Sequence, residues 1–245
     1  ERLKDSGRRD PMAHIESRPN FVEAEAIYTV ICFAQAVRAR AHIAHTSTKE
    51  GAQLISQAKA SGQYVTAETC PHYLVLTSEA MKEKGPYAKV NPPLRSNEDV
   101  KAMWTALNDG TIDIVASDHA PYTKEMKDMG WTDIWKAHAG GPQLETMLPL
   151  LLTQVNKGKI PITRFTRITS ESVAKIFGIY PKKGTIRIGS DADLIIVDLK
   201  KEEKISTEKM YSKARDICVY DGLKVKGVPT MTIVRGKIVM ENGEV

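Results

Sequence analysis

Two polar clusters in the 245-residue sequence carry residue types suited to catalysis. HIAHTS places His45 at the end of a short apolar run, and ASDHAPY places Asp118 at the end of another. An imidazole and a carboxylate converging from two strand ends suit a divalent cation of the zinc type. The same residues also serve as a hydrogen-bonded strand-end histidine and an N-cap aspartate, and spacing alone leaves both readings standing. ETCPHYL contributes Glu68, Cys70 and His72. No second Cys or His pair stands at zinc-finger spacing, so these residues read as structural. In NPPLR two prolines stiffen the chain and hold Asn91 extended, which suits a side chain that hydrogen-bonds a ligand, or a plain rigid turn. Gly140 and Gly141 let backbone approach a small molecule closely, or act as a hinge before a helix. No GxGxxG or P-loop follows a strand, so phosphate binding has no motif here.

The elements that must position these residues alternate. Phe21–Ala39 is rich in Ala and long apolar residues and lacks Gly and Pro, which predicts a long, largely buried helix. Ala41–His45 follows as a strand. A helix capped by Thr48 and ended at Gly62 comes next, then a β-branched strand over Gln63–Glu68. Ser96 followed by Asp99 resembles a capping box with a shorter acid and opens a helix that stops at Gly110. Thr111–Asp118 reads as an apolar strand with a polar end. Alternation of this kind predicts parallel βαβ units covered on both faces. Long loops, Thr69–Arg95 and His119–Gly141, follow two of the strands at the ends where α/β folds place their sites. After a helical stretch over Gln143–Phe177, short β-runs punctuated by Gly and Pro predict a small all-β appendage from Lys183. The expected domains are therefore 1–182 and 183–245. Three parallel strands cannot close an eight-stranded barrel. That leaves a small open sheet or the second half of a larger domain, and a start on Glu rather than Met favours the second.

Composition narrows the class. A 42% hydrophobic and 27% charged chain buries a core, so disorder is excluded as the main reading. No apolar run approaches the ~18 residues of a membrane helix, and the charged opening ERLKDSGRRDP is no signal peptide. The net charge of +5 is spread among acidic residues, as in KKEEK, so neither a nucleic-acid nor a membrane partner is expected. Cys32, Cys70 and Cys218 form no framework, which points to buried thiols in a reducing cytoplasm.

Taken together, HIAHTS, ETCPHYL, KVNPPLR, DGTIDIVASDHAPY, GGPQLETMLPLLLT and KKGTIRIGSDADLIIVDL resemble the cyclic amidohydrolases. That group includes hydantoinases, dihydropyrimidinases, allantoinases and class I dihydroorotases. The resemblance implies an α/β fold: the C-terminal portion of a TIM-like (β/α)8 barrel with a small β-sandwich appendage. It implies two metals, commonly zinc, bridged by a carboxylated lysine and a hydroxide that opens a cyclic amide or imide ring. His45 falls on the sixth-strand ligand and Asp118 on the eighth-strand aspartate, which also shuttles the proton. The remaining ligands, the lysine included, have no counterpart and would lie before Glu1. Asn91, Tyr122, Gly140 and Gly141 fall where the substrate is held. Dihydroorotases typically carry a histidine where Tyr122 stands, so the motifs lean toward hydantoin or dihydropyrimidine rings, with dihydroorotate or allantoin as the alternative. Homo-oligomers, often tetramers, are the family's habit, and a non-catalytic structural homologue is disfavoured by retention of His45 and Asp118.

Overall fold

The computed structural model describes residues 1–245 and divides into two compact units. One unit comprises Glu1–Ile112, Ala116–Leu144 and Thr207–Val219; the other comprises Asp113–Val115, Glu145–Ser206 and Tyr220–Val245.

The first unit opens with α1 (Pro11–Glu16), where Pro11 sits at N1 and the Asp10 carboxylate accepts from the Ala13 N–H. Helix α2 (Asn20–Val37) ends where Arg38 turns left-handed at φ 55°. The expectation of a largely buried helix is corrected here. Only Ile27 and Ile31 are buried, while Phe21, Phe33 and Val37 are at least 70% exposed. The helix carries large apolar residues on its exposed faces as well as on the face this chain covers.

Strand β1 (Ala41–Ile43) pairs in parallel with β2 (Val65–Thr69), Ala41 opposite Val65 and Ile43 opposite Ala67. Helix α3 (Lys49–Ala60) makes the crossover. The Thr48 hydroxyl caps it by accepting from the Gly51 N–H, as its sequence predicted. The next helices are α4 (Pro71–Val75) and α5 (Asn97–Asp109). The Ser96–Asp99 capping box is present in both directions, and Gly110 ends α5 in the left-handed region. Asp99 also accepts from Asn20 Nδ2 and the Lys49 N–H, so one buried carboxylate fixes the starts of α2, α3 and α5.

The apolar run Thr111–Asp118 narrows to a two-residue strand, β3 (Ile114–Val115). Immediately after it the Ala116 N–H donates to the Thr69 carbonyl. The two predicted loops are not bare: short helices occupy Pro71–Val75, Glu79–Lys84 and Lys124–Asp128. They fold against a core of Ala13, Cys70, Tyr73, Met81, Leu94 and Ile134.

In the second unit, α6 runs to Asn156 from its start at Leu144 in the first. Strands β4 (Leu194–Lys204), β5 (Lys224–Val234) and β6 (Lys237–Glu241) form an antiparallel sheet. Arg235 and Gly236, both at positive φ, make the two-residue turn between β5 and β6. The run GTIRIG, expected as β, forms no strand, and Ile186 and Ile188 lie exposed in it. No helix is long and apolar enough to cross a membrane.

Candidate active site

Parallel pairing delivers the ends of β1 and β2 to the same edge, and the Thr46 N–H extends the ladder by donating to the Glu68 carbonyl. His45 lies at this edge at φ 41°, and Asp118, beyond β3, adopts φ 50°. Left-handed backbone costs a residue bearing Cβ roughly 1–2 kcal/mol. It persists where the surroundings hold it, commonly at sites of function. The other non-glycine residues at positive φ include a helix end, Arg38, and a hairpin turn, Arg235; His45 and Asp118 serve no such connection. Burial raises the Asp118 carboxyl above the usual carboxylate range; the His45 imidazole opposes this and the Glu68 carboxylate adds to it.

The segment after His45 is clasped from α2. The Glu23 carboxylate accepts from the Ser47 N–H (2.8 Å), the Ser47 hydroxyl, the Thr48 N–H (2.9 Å) and the Thr48 hydroxyl (2.9 Å). Arg95 completes the clasp: Nη2 reaches Glu23 at 3.3 Å, Nε donates to the Ser47 hydroxyl, and Nη1 donates to the Arg18 carbonyl. Each of the three guanidinium nitrogens is thus engaged in holding chain.

Cys70 and His72, read from sequence as structural, converge on Asp118. The ligand atoms of the three residues lie within 4.8 Å of one another. Both Cys70 and His72 are buried. His72 Nδ1 is 2.7 Å from Gln143 Oε1, and its Nε2 has no partner. Burial drives the His72 imidazole down to about 4 and pushes the Cys70 thiol up.

Gly140 and Gly141 lie alongside the chain that follows Asp118: His119 bridges to Gly141, and the Ala120 N–H donates to the Gly141 carbonyl. A Cβ at Gly140 would stand 2.6 Å from both Cβ and O of Ala120, and its φ of 139° belongs to glycine alone. Tyr122 flanks this strip and stacks on His138 with ring centroids 4.7 Å apart. Asn91 is exposed on a neighbouring arm. Tyr73 fixes that arm by donating to the Pro92 carbonyl at 2.6 Å, and the Gly140 N–H joins the arms by donating to the Lys89 carbonyl.

Sequence reasoning missed the residue that locks these arms. Lys127, fully buried, donates to the carbonyls of Lys89 (3.0 Å), His138 (2.9 Å) and Gly140 (2.8 Å). In KEMKDMG it reads as one more surface charge. His119 was missed too: its Nδ1 accepts from the N–H groups of Gln143 and Leu144, capping the start of α6.

The donors at the strand ends suit a zinc-type ion: imidazole nitrogen from His45 and carboxylate oxygen from Asp118.

The sequence pattern of the Amidohydrolase family matches residues 32–239. The chain is 42% identical to an L-hydantoinase of Paenarthrobacter aurescens, covering 99% of this chain and 53% of that protein. It is 40% identical to a dihydroorotase of Methanothermobacter thermautotrophicus, covering 99% and 53%. The solved L-hydantoinase (dihydropyrimidinase) from Arthrobacter aurescens superposes with a TM-score of 0.94 at 41% identity, over 100% of this chain and 54% of that one. A dihydropyrimidinase from Brevibacillus agri superposes with a TM-score of 0.94 at 34% identity, over 99% and 54%. The chain spans about half the length of the curated relatives it matches. Its α/β architecture, with one parallel and one antiparallel pairing pattern, is that of the matching half of a hydantoinase. The chain belongs to the amidohydrolase family.

Proposed function

We propose that the complete protein hydrolyses a cyclic amide or imide ring of hydantoin or dihydropyrimidine type in a metal-dependent reaction. The observation that supports this reading is the left-handed backbone of both His45, which follows strand β1, and Asp118, which follows β3. In this reading His45 and Asp118 are metal ligands. A zinc-type metal held by them would supply Lewis-acid polarisation of the ring carbonyl and a more acidic water. Asp118 accepts the proton of the attacking water and delivers it to the departing ring nitrogen, opening the C–N bond. Its half-buried setting raises its proton affinity, which suits both halves of that transfer. Asn91 and the backbone at Gly140 and Gly141 hold the polar edge of the ring. Tyr122 offers a neutral hydroxyl and an aromatic face to its substituent.

The cofactor in this reading is a binuclear zinc centre completed by residues outside this chain, including a carboxylated lysine. Residues 1–182 act as the C-terminal part of the barrel and 183–245 as the β-sandwich segment. Three cysteines with no disulfide among them favour the cytoplasm. The homotetrameric assembly follows the resemblance.

Dihydroorotate is the second reading, favoured by the similarity to dihydroorotases. Its carboxylate needs cationic donors to replace lost water. Arg95, which could have supplied one, is spent on Glu23, Ser47 and Arg18. We expect kcat/KM of the intact protein to favour hydantoin or dihydropyrimidine over dihydroorotate at neutral pH. A tenfold preference for dihydroorotate, about 1.4 kcal/mol, would replace the first reading with the second.

A further inference from the structure

We propose that Cys70, His72 and Asp118 form a thiolate-containing site for one divalent cation of the zinc and cadmium class. This site goes beyond the hydrolytic reading, in which His45 is Asp118's partner and neither Cys70 nor His72 takes part.

Three observations converge on it. The ligand atoms of the three side chains already lie within 4.8 Å of one another. A tetrahedral zinc, with bonds of ~2.0–2.3 Å, sets neighbouring donors roughly 3.3–3.8 Å apart, so closure by about an ångström completes the triangle.

The second observation is the state of His72. Its Nδ1 stands 2.7 Å from Gln143 Oε1, and a carbonyl oxygen can only accept, so the proton sits on Nδ1 and Nε2 carries a bare lone pair. That Nε2 is buried without a partner. An imidazole anchored through one nitrogen, with the other free, is the form that ligates metals. Gln143 is itself fixed, its backbone N–H donating to His119 Nδ1.

The third observation is burial. Cys70 and His72 are 0% and 1% exposed, so their donor atoms are shielded from bulk water. A divalent cation held by Cys70 thiolate, Asp118 carboxylate and neutral His72 gives a neutral cluster. Binding forms the metal–sulfur bond as the S–H bond breaks, and the proton passes to solvent. Asp118 is the one partly exposed member of the three, so a cation would enter, and a water fourth ligand would sit, on its side.

The test is titration of the chelator-stripped chain with cadmium, read by the ultraviolet sulfur-to-cadmium charge-transfer band. One equivalent is expected to bind with that band. Cys70→Ser should abolish the band, Cys32→Ser and Cys218→Ser should leave it intact, and His72→Gln should weaken binding at least tenfold. Should the variants fold poorly by circular dichroism, cadmium NMR of the unaltered chain decides: a single resonance at a one-thiolate shift supports the site. Binding without the band, or a band that survives Cys70→Ser, overturns it. His45→Asn should leave the band in place, so a failed hydrolase assay and a failed cadmium titration are distinguishable outcomes.

Discussion

Replacing Glu23 with glutamine removes one negative charge from the interior without changing the volume of the side chain. Five donors converge on that carboxylate, from Ser47, Thr48 and Arg95. The Arg95 and Glu23 side chains are 5% and 8% exposed, so solvent screens the pair little. Breaking a buried pair by removing one partner costs roughly 3–5 kcal/mol, because the other charge stays behind without compensation. In Glu23→Gln the amide nitrogen also turns its own hydrogens toward donors, while one oxygen still accepts. We therefore expect the lower end, about 3 kcal/mol, and the upper end for Glu23→Ala. The clasp holds the residues just after His45, so the loss should appear there first. Amide hydrogen exchange at Ser47 and Thr48 is the assay. With ~1.4 kcal/mol per tenfold, their exchange should accelerate about a hundredfold. Arg95→Met alone should cost a similar amount, and the double variant should cost less than the sum of the singles. An acceleration under about fivefold, or strictly additive effects, would show that Glu23 and Arg95 are bystanders.

Lys127→Met keeps the length of the side chain and removes three donors from the Lys89, His138 and Gly140 carbonyls. In the intact enzyme the arms carrying Asn91 and Gly140 should loosen, raising KM for the ring about tenfold, one hydrogen bond's worth, while kcat changes less; an unchanged KM would deny Lys127 this positioning role. His14 is buried with Nε2 against the Val90 carbonyl and Nδ1 facing Arg18, and burial lowers its pKa from 6.5 to about 4. Between those values the unfolded chain binds the extra proton, so stability falls as pH drops through that window and is indifferent to this group above it. The loss is about 3 kcal/mol; chemical denaturation from pH 7 to pH 4 should show it, and a His14→Gln variant with the same pH slope would contradict it.

Local chemistry was legible and long-range chemistry was not. Thr48, the Ser96–Asp99 box and Gly110 announce helix ends because their partners lie within four residues. That His45 and Asp118 each follow a strand was legible, although their left-handed backbone was not, since neither is glycine. Glu23 and Lys127 were invisible for one reason: their partners come from distant stretches of chain, and a lone Glu or Lys in a helical run reads as surface charge. Cys70 and His72 were set aside because zinc-finger spacing seeks ligand pairs along the sequence, whereas their third companion, Asp118, arrives from beyond another strand. Thr111–Asp118 was overread as strand because its apolar residues mark burial, and burial does not require ladder pairing along its whole length.

The most direct measurement of the central claim is steady-state hydantoin ring opening by the intact protein and its Asp118→Asn variant. Asparagine preserves the shape of the side chain and cannot take up the proton of the attacking water. The kcat of the variant should fall by about 10²–10⁴, with far-ultraviolet circular dichroism unchanged. Turnover within a few fold of the unaltered protein would contradict it and remove Asp118 from the chemistry.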